Sequence, residues 1–212
     1  MKDREIIQFI EKTKAIAILR SSSADHVKET AQAIIRGGLP LVEVSITTPG
    51  ALDVIYALRL ENPDAVIGAG TVNTVEDVRC VLEAGAMFVF SPVYNPEMIN
   101  YCVQHNIVCI PGVFTPSEVF AATQQGAHFV KLFPASIGGP DYVKAIMAPL
   151  PKSRIIAVGG VTLDNLHAFY SAGALAVGIA SCLFSKDDIL AGNFTRISDN
   201  TKKFVAIVNS LS

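Results

Sequence analysis

The chain has 212 residues and a formal net charge of −2, with a sequence pI of about 6.1. That balance leaves no basic footprint for nucleic acid and no polybasic cluster for a membrane surface. Half of the residues are hydrophobic and mean hydropathy is +0.42, yet the longest nearly apolar run, Ala174 to Phe184, is about half the length of a spanning helix. The hydrophobicity is therefore expected in strands buried on both faces, as in all-parallel sheets.

The length suits one domain, residues 1–212, with a core large enough to need no metal or disulfide staple. The opening segment MKDREIIQFIEK is charged throughout and has no signal-peptide pattern. It predicts a helix over about Asp3–Lys12 that precedes the repeating units and plugs one end of the fold. After it, short β-branched runs alternate with turns and amphipathic helices. The predicted strands are Ala15–Arg20, Leu41–Ile46, Val66–Ala69, Met87–Phe90, Val108–Ile110, Phe129–Lys131, Ile155–Ala157 and Ala176–Gly178. They recur at intervals of roughly 20 to 26 residues, room for one compact βα unit each.

Among the helices, Ala24–Arg36 carries Val27, Ala31, Ile34 and Ile35 on one face. Thr74–Ala84 opens with a threonine cap and an acidic first turn. Pro116–Gln125 follows Thr115, with Glu118 completing a capping box. Leu163–Ala172 follows Thr162, and a last helix is expected at about Asn193–Asn209. Gly37, Gly85, Gly126 and Gly173 fall where left-handed C-caps are expected. Eight such units predict a closed (β/α)₈ TIM barrel of the α/β class, with an additional N-terminal helix. The runner-up is an open doubly wound sheet. A dinucleotide site is disfavoured because GAGTVN (Gly68–Asn73) lacks the third glycine of the fingerprint.

In such a barrel the chemistry lies at the C-terminal ends of the strands. Lys131, in HFVKLFPAS, is the sharpest candidate there. A charged amine inside an apolar strand is costly unless it snorkels or pairs. The functional alternative is a neutral amine that attacks carbonyls. Glu43 lies mid-strand in VEVSI, with Leu41 and Ser45 on its side of the strand. It reads either as a carboxylate paired with Arg20 or as a general acid/base raised by burial. Arg20, at the end of the first strand, suits a carboxylate or phosphate, with an outward surface arginine as the plain alternative. Gly159-Gly160 follows strand seven and is expected to open a helix, and the turn Gly178–Ser181 follows strand eight; the loops after strands seven and eight are the usual phosphate site of this architecture.

The four cysteines (Cys80, Cys102, Cys109, Cys182) form no C-x-x-C pair. They read as reduced packing residues in a cytoplasmic protein. The four histidines show no ligand spacing, and His26, His105 and His167 read as surface residues; no metal is expected.

Several segments, in order and spacing, resemble the class I 2-keto-3-deoxy-6-phosphogluconate (KDPG) and 4-hydroxy-2-oxoglutarate aldolases. They are GGLPLVEVSITTPGA, IGAGTVNTVEDV, FVFSPVYNPEM, IPGVFTPSEV, FVKLFPAS, VGGVTLDN and AVGIASCL. The resemblance spans essentially the whole chain. It implies a homotrimeric barrel that cleaves a small, phosphorylated 2-oxo acid through a lysine Schiff base, without cofactor. It implies that Lys131 is the Schiff-base lysine and Glu43 the catalytic glutamate. It further implies that Thr71, Pro92 (after Ser91) and Phe133 line the substrate and that Gly159, Gly160 and Ser181 hold the phosphate. The phosphogalactonate relatives remain an alternative. Two positions depart from the pattern: Thr47 stands where many members carry arginine, a role Arg20 is expected to take, and Val158 where threonine is common.

Overall fold

A computed structural model describes residues 1–211. Helix α1 (Asp3–Thr13) leads into β1 (Ala15–Leu19). There follow α2 (Val27–Arg36), β2 (Leu41–Ser45), α3 (Ala51–Glu61), β3 (Val66–Gly70), α4 (Val75–Glu83), β4 (Phe88–Phe90) and α5 (Pro96–Gln104). Next come β5 (Val108–Ile110), β6 (Gly112–Val113), α6 (Pro116–Gln124), β7 (Val130–Leu132), a 3₁₀ turn (Ala135–Ile137) and α7 (Gly139–Met147). The chain ends with β8 (Ile155–Val158), α8 (Leu166–Ser171), β9 (Ala176–Ile179), α9 (Lys186–Leu190) and α10 (Phe194–Ser210).

All pairings among the described strands are parallel, in the order β5-β4-β3-β2-β1-β9-β8-β7-β6. The ends of that list are consecutive in sequence. β5 and β6 flank Pro111, which lacks an amide hydrogen and interrupts the ladder. The carbonyl of Ile110 accepts from Ser91 N at 3.0 Å on one side, and that of Pro111 accepts from Lys131 N at 2.8 Å on the other. β5 and β6 thus form one stave, and the nine segments close the expected eight-stave (β/α)₈ barrel.

Strand alternation produces two cores. Val42, Val44, Ile67, Ala69, Val130 and Leu132 point outward against the helices. Ile16, Leu41, Val66, Phe88, Phe90, Val108, Phe129 and Ile156 point inward, joined by Ile6 and Ile10 of α1. Helix α1 therefore seals the N-terminal end of the barrel, as its place before the first unit predicted. Ile10 is fully buried, so Ile10→Ala is expected to cost about 2–5 kcal/mol in urea unfolding. A loss below ~1 kcal/mol would show that α1 does not act as a plug.

The caps at Thr74 and Thr115 form as the sequence predicted, each hydroxyl accepting from the backbone three residues on. Three expectations are corrected. Helix α2 starts at Val27 rather than Ala24, because Ser21, Ser23 and Asp25 satisfy the preceding backbone by local bonds and His26 is left-handed at φ 60°. Helix α8 starts at Leu166: Thr162 and Asn165 exchange side-chain and backbone bonds and hold residues 162–165 as a turn. Gly37 is not the left-handed residue after α2; it has φ −73°, and Gly38 takes φ +94°. Gly37 serves close packing instead, since a Cβ there would collide with Thr201 of α10.

Candidate active site

Lys131 sits in the middle of β7, in register with Gly112 and Ile156. Val130 and Leu132 face outward, so Lys131 faces the barrel interior. It is 7 % exposed. Its Nζ lies 4.5 Å from the centre of the Phe90 ring and 4.7 Å from that of Phe133. None of the ion pairs among the described residues involves it. Burial holds its pKa below the ordinary lysine value; the charge of Glu43 opposes this and that of Arg20 adds to it.

Glu43 occupies the corresponding place in β2, 2 % exposed. Burial raises its pKa to about 7, against the pull of Lys131 and Arg20. Desolvation thus pushes both groups toward their neutral forms while their attraction favours the ion pair. Glu43, with its pKa of about 7, can both give and take a proton near neutral pH. Room for the carboxylate comes from β3, where a Cβ on Gly70 would overlap Glu43 Oε1.

The remaining candidates surround this pair. Arg20, directly after β1, is exposed and forms no ion pair with Glu43 within the 4.0 Å contact distance. It lines a cleft of about 630 Å³ with Ser21, Ser22, Thr47, Ser181 and Lys186. Thr71, after β3, has φ 60°, a conformation that costs a β-branched residue about 1–3 kcal/mol. Its Oγ1 lies 2.6 Å from Ser45 Oγ. Ser91 is fully buried; its hydroxyl donates to Asn73 Oδ1 at 3.3 Å and accepts from Val93 N at 3.2 Å, fixing the turn that carries Pro92. Pro92 packs so closely on β6 that Gly112 has no space for a Cβ.

Gly159 and Gly160, with φ +97° and +73°, line a depression of about 210 Å³ with Ile18, Val161, Ala180 and Ser181. These glycines do not open a helix, contrary to expectation, because α8 begins only at Leu166. An anion here would meet loop amides rather than a helix end.

The reading of the sequence did not single out Phe90, Gly70 or Lys186. Phe88 and Phe90 alternate in β4, and Gly68 and Gly70 alternate beside Glu43 and Ser45 in register. That pairing of large and absent side chains was the available signal. An apolar crevice of about 280 Å³ between α1 and α10 lies at the sealed end, lined by Phe9, Leu39 and Phe204 among others, remote from the amine. His26, His105 and His167 are exposed. Among the described residues no three His, Cys, Asp or Glu groups gather as a metal site. No described helix is long and apolar enough to cross a membrane.

A closed parallel barrel with a buried amine facing a carboxylate below an open mouth defines a class: the Schiff-base, or class I, aldolases. The family model for KDPG and KHG aldolases matches residues 6–200, and the chain belongs to that family. It is 31% identical over 204 residues, covering 96% of this chain and 97% of the relative, to 2-dehydro-3-deoxy-phosphogluconate aldolase of Treponema pallidum. It is 36% identical over 180 residues, 84% of this chain and 88% of the relative, to 2-dehydro-3-deoxy-6-phosphogalactonate aldolase of Escherichia coli K12. Among solved structures it resembles KDPG aldolase from Legionella pneumophila with pyruvate captured as a covalent carbinolamine. That match has a TM-score of 0.85 and 26% identity, and covers 96% of this chain and 98% of the other.

Proposed function

We propose that this chain is an aldolase that cleaves KDPG to pyruvate and glyceraldehyde 3-phosphate, and/or 4-hydroxy-2-oxoglutarate to pyruvate and glyoxylate. The observation that carries the reading is the buried, unpaired Lys131 opposite Glu43. Neutral Lys131 attacks the 2-oxo carbon to give a carbinolamine. Glu43 delivers the proton that lets water leave, and an iminium forms. Glu43 then takes the proton of the 4-hydroxyl, the bond between carbons three and four breaks, and its electrons enter the iminium to give an enamine. The aldehyde departs, the enamine is protonated at carbon three, and water releases pyruvate and free Lys131. Every electron pair and proton is accounted for by substrate, water and these two side chains.

Thr71, Pro92 and Phe133 enclose the 2-oxo acid end. Gly159, Gly160 and Ser181 bind the phosphate, and Arg20 supplies positive charge between the two ends. The active form is a homotrimer of one-domain subunits in the cytoplasm. A second reading, a phosphogalactonate aldolase of opposite configuration at carbon four, is favoured by the 36% identity to the Escherichia coli relative.

The test is intact mass and peptide mapping after incubation with pyruvate and sodium borohydride. A reduced pyruvate adduct on Lys131 is expected. No adduct, beside an aldolase control that traps, would leave a phosphate-binding isomerase or a non-catalytic sugar-phosphate barrel. Cleavage of the two carbon-four epimers separates the substrate readings.

A further inference from the structure

Three hydroxyls run in a line along one side of the barrel mouth. Thr47 Oγ1 lies 3.1 Å from Ser45 Oγ, and Ser45 Oγ lies 2.6 Å from Thr71 Oγ1. The three sit at different depths: Thr47 is exposed, Thr71 half-buried and Ser45 only 2 % exposed. Ser45 shares its side of β2 with Glu43, and none of the three hydroxyls has another hydrogen-bond partner among the described residues.

Proton counting gives this line a direction. Each hydroxyl has one proton to donate and can accept from others. Two bonds between three hydroxyls use two protons, so one O–H is left over. If Thr71 donates inward, Ser45 can pass its own proton to Thr47 and the free O–H emerges on the outer side. If Thr47 donates to Ser45 and Ser45 donates to Thr71, the free O–H is that of Thr71. An anionic oxygen placed beside Thr71 selects the second order, and each bond in the series polarises the next.

We propose that Ser45 and Thr47 are positioning residues that order the hydroxyl chain Thr47→Ser45→Thr71. Through it, the Thr71 O–H is presented as a donor to the carboxylate of the 2-oxo acid. This rests on the aldolase reading of Lys131 and Glu43 and adds the device that recognises the acid end of the substrate. The short Ser45 bond holds Thr71 in its left-handed conformation before the ligand arrives. Less ordering is then left for the binding step.

The test is steady-state aldol cleavage by Ser45→Ala, Ser45→Thr, Thr47→Val and the Ser45→Ala/Thr47→Val double variant. Borohydride trapping with pyruvate follows on each. Ser45→Ala is expected to raise KM about tenfold with kcat within about twofold, because the carboxylate is bound alike in ground and transition states. Ser45→Thr keeps the hydroxyl and is expected to retain KM within about twofold. Thr47→Val is expected to raise KM about threefold, and the double variant to be no worse than Ser45→Ala alone, since the chain is already cut.

Unchanged KM in Ser45→Ala, or losses that multiply in the double variant, would overturn the proposal. Loss of kcat with unchanged KM would overturn it as well. Thr47 is exposed, so if Ser45→Ala does not fold, an unchanged KM in Thr47→Val decides against the chain and a raised KM decides for it. Failure of the wild-type protein to trap pyruvate on Lys131 would instead remove the aldolase reading itself.

Discussion

Lys131→Ala is expected to lower aldol cleavage by at least about 10⁴-fold, as loss of a covalent nucleophile does. The borohydride adduct should vanish with it. Lys131→Arg is expected to fare no better: a guanidinium stays protonated at all accessible pH and cannot form an imine. The measurement is pyruvate release followed continuously, beside thermal unfolding of each variant. Unfolding separates chemistry from folding. Among the described residues the amine belongs to no ion pair and lies against Phe90 and Phe133, so its removal relieves desolvation without breaking a close salt bridge. The alanine variant should therefore lose less stability than the ~2–5 kcal/mol of an ordinary large-to-alanine core change. Residual turnover above a tenth of the parent would remove Lys131 from the mechanism.

Glu43→Gln is expected to cost about 10² to 10⁴ in kcat, the usual contribution of a general acid/base, with a changed pH profile. In the parent, Glu43 gives a proton at dehydration and takes one at cleavage, so its pKa of about 7 predicts a kcat/KM that changes through neutral pH, and glutamine should abolish that change. Stability should move the other way. Burial raises the folded pKa of Glu43 above its unfolded value, so between about pH 4.5 and 7 the folded state holds the proton more tightly. The folded protein therefore loses stability as pH rises through that window. Glutamine has no charge to bury, and Glu43→Gln should gain thermal stability relative to the parent between pH 5 and pH 8. Equal pH dependence of the two melting curves would show that the carboxyl is not held near neutrality.

Much of this arrangement is legible in the residues because local and global signals agree. Glu43 and Lys131 are each one polar group inside an apolar strand, and period-two alternation alone turns both inward. The threonine caps at Thr74 and Thr115 place the starts of their helices to the residue. The failures have physical causes. The apolar face of α2 does not mark its start, because the serines and aspartate before it bond locally instead of entering the helix. The glycine pair at residues 159 and 160 does not open the expected helix, because Thr162 exchanges bonds with Asn165 within a turn. The Ser45–Thr71 bond joins residues 26 apart in sequence, and no spacing rule reaches between neighbouring staves. Gly37 shows the same limit, since its role depends on a helix more than 150 residues downstream.

The helix that closes the lower end of the barrel also sets a sequence of traffic. With Ile6 and Ile10 filling that end, substrate on the proposed reaction approaches Lys131 from the opposite, C-terminal mouth. On the proposed reaction, the three-carbon acid is tethered to the deepest nitrogen while the aldehyde lies between it and the opening. The aldehyde must clear the passage before water can reach and hydrolyse the tether. In the direction of synthesis the acid must be seated first. The imine chemistry of Lys131 already makes the acid the first to bind in synthesis and the last to leave in cleavage, and a dead-ended tube adds a spatial order to that chemical one.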